Sequence, residues 1–235
     1  MTTPAYDSRL TPWQRFRRKS REVRPLYLLQ IVFQKVVPRD LLRVRSLFLF
    51  ETDFQGRKTT APDDPNIRWA TMEDVTGLAR LANGPEEVRA RFESGARAVI
   101  ALRDGRVVAA VWYRPGYCEM DHWMRFTAPA DAVWGLSARV LPEYRGQRLF
   151  GNMKRLAALN YARAGHSRIL TYIETLNYNS IKANRASGGR PVGRVVTVRF
   201  LGFSAVYCNR RLRVGRWTPE KLLELPIESI TAGQQ

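Results

Sequence analysis

The residues best suited to chemistry lie in one stretch, Val140-Leu141-Pro142-Glu143-Tyr144-Arg145-Gly146-Gln147-Arg148-Leu149-Phe150-Gly151. Pro142 closes a strand, Gly146 permits a tight turn, and a helical run over Gln147–Ala164 follows. A helix entered in this way presents unpaired backbone N–H groups and the positive end of its dipole, an arrangement that binds phosphate. Arg145 and Arg148 would add charge-assisted donors beside it. A second set of residues could move protons: Glu119, Asp121 and His122 ahead of a strand at Ala132–Leu141, and Glu174 at the end of a strand at Arg168–Thr175. Histidine titrates nearest neutrality, which makes His122 a natural candidate. Each also has a plain reading, His122 as a loop residue beside Trp123 and Glu174 as the partner of a nearby arginine.

Those groups must be positioned by a regular framework, and the sequence supplies one after a loop-like boundary at Gln55–Asn66. Ile67–Ala70 reads as a short strand, and Thr71-Met72-Glu73-Asp74 as a capping signature opening a helix through Leu81. Pro85–Glu93 is a second helix. Ala96–Leu102 and Arg106–Tyr113, joined by Asp104-Gly105, form a hairpin. Arg114–Asp131 reads as a long loop or irregular strand. Ser180–Ser187 is a short helix, Val192–Leu201 and Phe203–Asn209 are strands, and Thr218-Pro219-Glu220 starts a terminal helix. A strand, a long helix and a second strand in succession require a parallel crossover, whereas the hairpins require antiparallel pairing. The expected class is therefore α/β (an α+β mixed sheet), with helices on the sheet faces.

The stretch Val140, Pro142, Arg145, Gly146 resembles the GNAT acyltransferase superfamily, in which a strand ending V-x-P-x-x-R-G leads into a glycine-rich turn and a helix. The family's later turn glycines are here Arg148 and Phe150, with Gly151 one position further on. Downstream, Glu174-Thr175-Leu176-Asn177 is followed by Ser180, Ala183 and Gly188-Gly189, as in many members. Asn184 stands where relatives carry a tyrosine that protonates the leaving thiolate. The resemblance covers about residues 66–210. It implies a GNAT-like domain over 66–235, after a basic N-terminal extension over 1–65. In that extension Leu42–Phe50 reads as a strand rich in Leu and Phe, and the apolar part Leu26–Phe50 would cover a sheet edge or helix face.

The resemblance further implies an acyl-CoA co-substrate, acetyl-CoA first among them, held by Ser137, Ala138, Arg139, Val140, Arg145, Gly146, Gln147, Arg148, Gly151, Asn177 and Ser180. An amine of a small molecule would attack the thioester directly. Glu174, Asn177, His122 and Glu119 are the catalytic candidates, and no metal is expected. Tyr172 and Tyr178 could replace the missing tyrosine. His166, Cys118 and Cys208 read as packing residues.

Composition adds a partner expectation. The chain has 39 Lys and Arg against 21 Asp and Glu, a net charge of +18 concentrated toward both ends. That excess would suit a tRNA or an acidic carrier protein, so a GNAT-fold transferase using aminoacyl-tRNA or a carrier protein as donor is the alternative. A non-catalytic nucleic-acid-binding protein, with Trp13–Arg24 as its arm, is a third reading. Two cysteines without metal-like spacing fit a reducing, cytoplasmic setting. Met1–Leu10 has no apolar core of a signal peptide, and no run is long enough to span a bilayer, so no membrane partner is expected.

Overall fold

A computed structural model describes residues 42–55, 62, 64–120, 124–208, 211–216 and 223–226. The chain separates into two compact units. The basic N-terminal segment before Leu42, His122 with its neighbours Asp121 and Trp123, and the expected helix start at Thr218–Glu220 lie outside the described residues.

The first unit holds β2 (Ile67–Trp69), α1 (Val75–Ala79), α2 (Pro85–Glu93), β3 (Arg97–Arg103), β4 (Arg106–Pro115), β7 (Ala132–Val140) and α3 (Leu149–Arg163). Its strands run β7-β4-β3-β2 with antiparallel pairing throughout. The expected capping box is present: the Asp74 carboxylate accepts from the Thr71 backbone N–H at 2.8 Å, and the helix opens with a 3₁₀ turn, Met72–Asp74. Arg68 donates twice to the same carboxylate, at 2.7 and 2.8 Å, and this holds Asp74 below the usual carboxylate range. The Asp104-Gly105 turn is a two-residue loop with φ of 50° and 71°, the geometry those residues favour.

Alternation along β3 and β4 sends apolar side chains to both faces of this sheet, because both faces are covered. On one side Val99, Ala101, Ala109, Val111 and Tyr113 pack with Leu149, Met153 and Ala157 of α3. On the other, Ala98, Ile100, Ala110 and Trp112 pack with Leu78 and Val88 of α1 and α2. Trp69, Tyr113 and Tyr161 meet edge-on or tilted at 5.8–6.3 Å between centroids.

The second unit holds β1 (Leu42–Asp53, apart from its last residue), β5 (Tyr117–Met120), β6 (Met124–Thr127), most of β8 (Arg168–Glu174), α4 (Tyr178–Ala186), β9 (Arg190–Phe200), β10 (Phe203–Cys208), β11 (Arg211–Arg216) and β12 (Leu223–Pro226). Five strands run β11-β10-β9-β1-β8. The segment Leu42–Phe50, read as a strand, is one, but it lies inside the sheet between β9 and β8 and does not cover an edge or a helix face. Arg114–Asp131, read as loop or irregular strand, contains the β5–β6 hairpin, and β12 joins it in parallel with β6. Residues 223–226 are therefore strand, not a continuation of the expected terminal helix.

At the start of β1 the polarity is inverted relative to hydropathy, although Leu47 and Leu49 further along are buried. Arg43 and Arg45 are buried, at 8% and 6% exposure, while Val44 between them is 39% exposed. The register pairs Arg43 with Arg199, also buried, and Val44 with Val198.

Candidate active site

In the first unit the phosphate-like turn forms as the residue types dictate. After Val140 the chain makes one 3₁₀ turn, Pro142–Tyr144, closed by Tyr144 N–H to Leu141 O at 3.0 Å and Arg145 N–H to Pro142 O at 3.2 Å. Gly146 then takes φ 82°, a value that costs glycine nothing. Arg148 follows at φ 57°, left-handed and strained for a residue with a Cβ. It is the N-cap of α3, yet no side chain caps the helix. The first intrahelical bond runs from Asn152 N–H to Arg148 O at 3.0 Å, which leaves the N–H groups of Leu149, Phe150 and Gly151 without helical acceptors.

The first turn of α3 also has room beside it. A Cβ placed on Gly151 would meet nothing within 4 Å, so packing within the chain does not require glycine there. Arg145, Gln147 and Arg148 are exposed around this opening. The residues present therefore fit a diphosphate: free amides, a helix dipole, two guanidinium-bearing residues and open space.

Two features of this turn escaped sequence reasoning. The first is a bulge in β7. Trp112 pairs with Ser137, but Tyr113 pairs with Gly135, so Leu136 is the extra residue. A bulge turns the following residues and interrupts the ladder immediately before Ser137, Ala138, Arg139 and Val140. Nothing in the local sequence marks it, because it exists only in pairing with β4. The second is Lys154, 4% exposed on α3. Its ammonium lies 5.7 Å from the centroid of Phe150, one turn back toward the helix start, and burial pushes its amine down to about 8. Here the sequence did carry a signal: Lys154 falls on the same stripe as Phe150, Ala158 and Tyr161.

In the second unit the remaining candidates have defined partners. Glu174 ends β8 and pairs with Arg45, Nη1 to Oε1 3.2 Å, with both side chains largely buried. Asn177 is the N-cap of α4, and its Oδ1 accepts from the Ser180 backbone N–H at 3.2 Å. Asn184 is buried and donates back along α4 to Ser180 O at 3.3 Å. Glu119 is directly opposite Arg125 across the β5–β6 hairpin, bonded at 2.6 Å, with Arg125 also lying over the Tyr117 ring. Cys118 and Cys208 are free thiols in buried positions. In the first unit His166 follows α3, its ring 5.5 Å from that of Tyr161. Among the described residues no group of three or more His, Cys, Asp or Glu side chains could hold a metal ion.

Comparison with known proteins bears on the fold. No protein-family model and no curated protein sequence matches the chain. Among solved structures, a GNAT-family acetyltransferase from Novosphingobium aromaticivorans aligns with TM-score 0.51 and 19% identity, over 78% of this chain and 71% of that one. A GNAT-family acetyltransferase from Colwellia psychrerythraea aligns with TM-score 0.49 and 17% identity, over 68% of this chain and 57% of that one. The aminoglycoside N-acetyltransferase AAC(6')-Iy, solved with CoA, aligns with TM-score 0.40 and 15% identity over 52% of this chain. The fold of this chain is the mixed α/β fold of GNAT acetyltransferases.

Proposed function

We propose that this chain is an N-acyltransferase that moves an acyl group from an acyl-CoA thioester, with acetyl-CoA the first candidate, to the amine of a small molecule. The observation that carries the reading is the start of α3: uncapped, preceded by two residues of positive φ, flanked by Arg145 and Arg148, and open beside Gly151. A diphosphate seated there would accept hydrogen bonds from the N–H groups of Leu149, Phe150 and Gly151 and gain from the helix dipole. The GNAT fold supports the same reading, since it sets such a turn at the end of a strand.

In the transfer itself, the amine lone pair forms a bond to the thioester carbon, and the carbon–sulfur bond breaks. The amine proton is released and the leaving thiolate takes up a proton. Charge grows on the carbonyl oxygen during attack and needs a donor fixed in advance. The backbone around the Leu136 bulge, where β7 leaves its ladder with β4, is the group we assign to that task. Glu174 enters as the counter-ion of Arg45 and Asn177 as the cap of α4, so both act by positioning.

The test is a thermal-shift titration with CoA at physiological salt, where non-specific attraction to a +18 chain is screened. A saturable rise in Tm at micromolar CoA, lost with inorganic phosphate alone at the same concentration, is the expected result. No shift would overturn the acyl-CoA donor and direct the search to an aminoacyl-tRNA or carrier-protein donor, the partners that the basic termini suit.

A further inference from the structure

The β9–β10 hairpin is closed by a two-residue loop, Leu201-Gly202, between the paired residues Phe200 and Phe203. Both loop residues have positive φ, 45° and 79°. The same chain closes its β3–β4 hairpin with φ of 50° and 71°, and there it uses Asp104-Gly105, the residues that such a turn favours. At the second hairpin it places a leucine in the left-handed region, where a branched apolar side chain is strained. Turn chemistry does not explain that leucine, and packing does not either. Leu201 is 58% exposed, and Phe200 and Phe203 beside it are 48% and 52% exposed.

The apolar tip continues into a sheet face. Register places Val44, Val198, Ala205 and Val214 in one row across β1, β9, β10 and β11, and Tyr207 with Leu212 in the next. Val44, Tyr207, Leu212 and Val214 are all exposed. At the start of β1 this is the outward face, which carries Val44, while Arg43 and Arg45 of β1 and Arg199 of β9 lie on the buried side. Basic residues share this face: Arg194 lies on it, and the register puts Arg216 opposite Phe203. Residues 190–216 contain no aspartate or glutamate. Arg199, Arg211 and Arg213 register on the other face, and Arg190 pairs with Glu51 at 2.8 Å. Arg194, exposed on β9, donates to Ser46 on the outward face at 3.1 and 3.2 Å.

We propose that the β9–β10 tip and the outward face of β1-β9-β10-β11 dock this protein on an anionic phospholipid surface, with Leu201, Phe200 and Phe203 entering the headgroup–acyl boundary. Charge selects this occupant. A second copy would set Arg194 and Arg216 of one +18 chain against those of another, with no acidic residue of 190–216 to meet them, and like charge opposes that pairing. Nucleic acid would match the charge and could stack on phenylalanine rings, but Leu201, Leu212, Val214 and Val44 have no flat face to offer a base. An interface that is aliphatic and basic together matches a bilayer carrying anionic lipid. Among the described residues no helix is long and apolar enough to cross a membrane, and docking needs none.

The experiment is co-sedimentation of the full chain with vesicles of phosphatidylcholine containing about 30% phosphatidylserine, against pure phosphatidylcholine, at physiological salt. The wild type is expected to sediment with the anionic vesicles and far less with the neutral ones. Leu201→Asn keeps the chain's charge and suits positive φ, so its Tm should not fall, yet its vesicle affinity should drop about tenfold or more. The pair Leu212→Thr and Val214→Thr, which retains strand propensity, should weaken binding as well. No sedimentation of the wild type with anionic vesicles would overturn the proposal. So would full retention of binding by Leu201→Asn, which would reduce the effect to net charge. A dimer or an RNA complex lost in Leu201→Asn, with no vesicle binding by the wild type, would assign the surface to that partner instead.

Discussion

Arg45 Nη1 lies 3.2 Å from Glu174 Oε1, joining the interior strand β1 to the last residue of β8. The sequence offers Glu174 as a proton acceptor or as the partner of an arginine, and the structure commits its carboxylate to Arg45. Removing one member of a buried pair strands the other charge, whereas removing both does not. Arg45→Met alone should lower stability by about 3 kcal/mol. The double variant Arg45→Met/Glu174→Gln should recover at least about 1 kcal/mol of that loss. Urea denaturation of the four proteins of the cycle measures both, and strict additivity would remove the pair from the stability argument.

Lys154 gives a pH dependence with a definite sign. Its amine is pushed from 10.5 down to about 8 by burial on α3. Between about pH 8 and 10.5 the unfolded chain holds a proton at this residue that the folded chain has released, so stability attributable to Lys154 rises with pH across that window. Below about pH 8 the burial penalty is fully present, on the order of 3 kcal/mol from the difference in proton affinity. Lys154→Met should therefore stabilise the protein at pH 7, and its advantage over wild type should shrink toward pH 10. Parallel denaturant melts at those pH values follow the difference, and a constant gap would contradict the assignment.

Arg148 separates folding from binding at the phosphate-like turn. Its φ of 57° suits glycine, so Arg148→Gly should leave Tm unchanged or raise stability by up to about 1 kcal/mol. If its guanidinium meets the diphosphate of CoA, the same change should weaken CoA binding about tenfold. A thermal-shift titration reads both numbers, and unaltered CoA affinity would take Arg148 out of the site.

Gly77 tests the packing under the sheet. A Cβ at this position of α1 would sit 2.6 Å from Val107 Cγ2 and 3.2 Å from Val107 Cβ, on a branched side chain with little freedom to move. Gly77→Ala should cost about 1–3 kcal/mol. Val107→Ala added to it should recover part of that loss, which a chemical-denaturation series would report.

The local elements were legible because their causes are local. Pro85 opens α2 and Gly95 follows its end; Asp104-Gly105 closes its hairpin; Thr71 and Asp74 reciprocate across one turn. The phosphate-like turn was legible for the same reason: Pro142, Gly146 and the helix behind them are neighbours in the chain. The β5–β6 hairpin was not: Cys118-Glu119-Met120 and Met124-Arg125-Phe126-Thr127 do alternate, but each run is only four residues or fewer and no glycine or proline marks a turn between them. Strand β12 could not be read at all, because its pairing with β6 joins residues about a hundred positions apart.

What the sequence determined by itself, then, is the set of short-range choices: where helices start, where hairpins turn, and that an uncapped helix follows Arg145 and Gly146. What only tertiary structure decided is orientation and partnership. Hydropathy would turn Val44 inward and Arg45 outward; the fold does the reverse, with Glu174 waiting as the partner of Arg45. Leu136 becomes a bulge only through its register with Trp112 and Tyr113. The reason is physical: period and turn chemistry act over a few residues, whereas the face a strand buries is set by whichever distant strand or helix meets it.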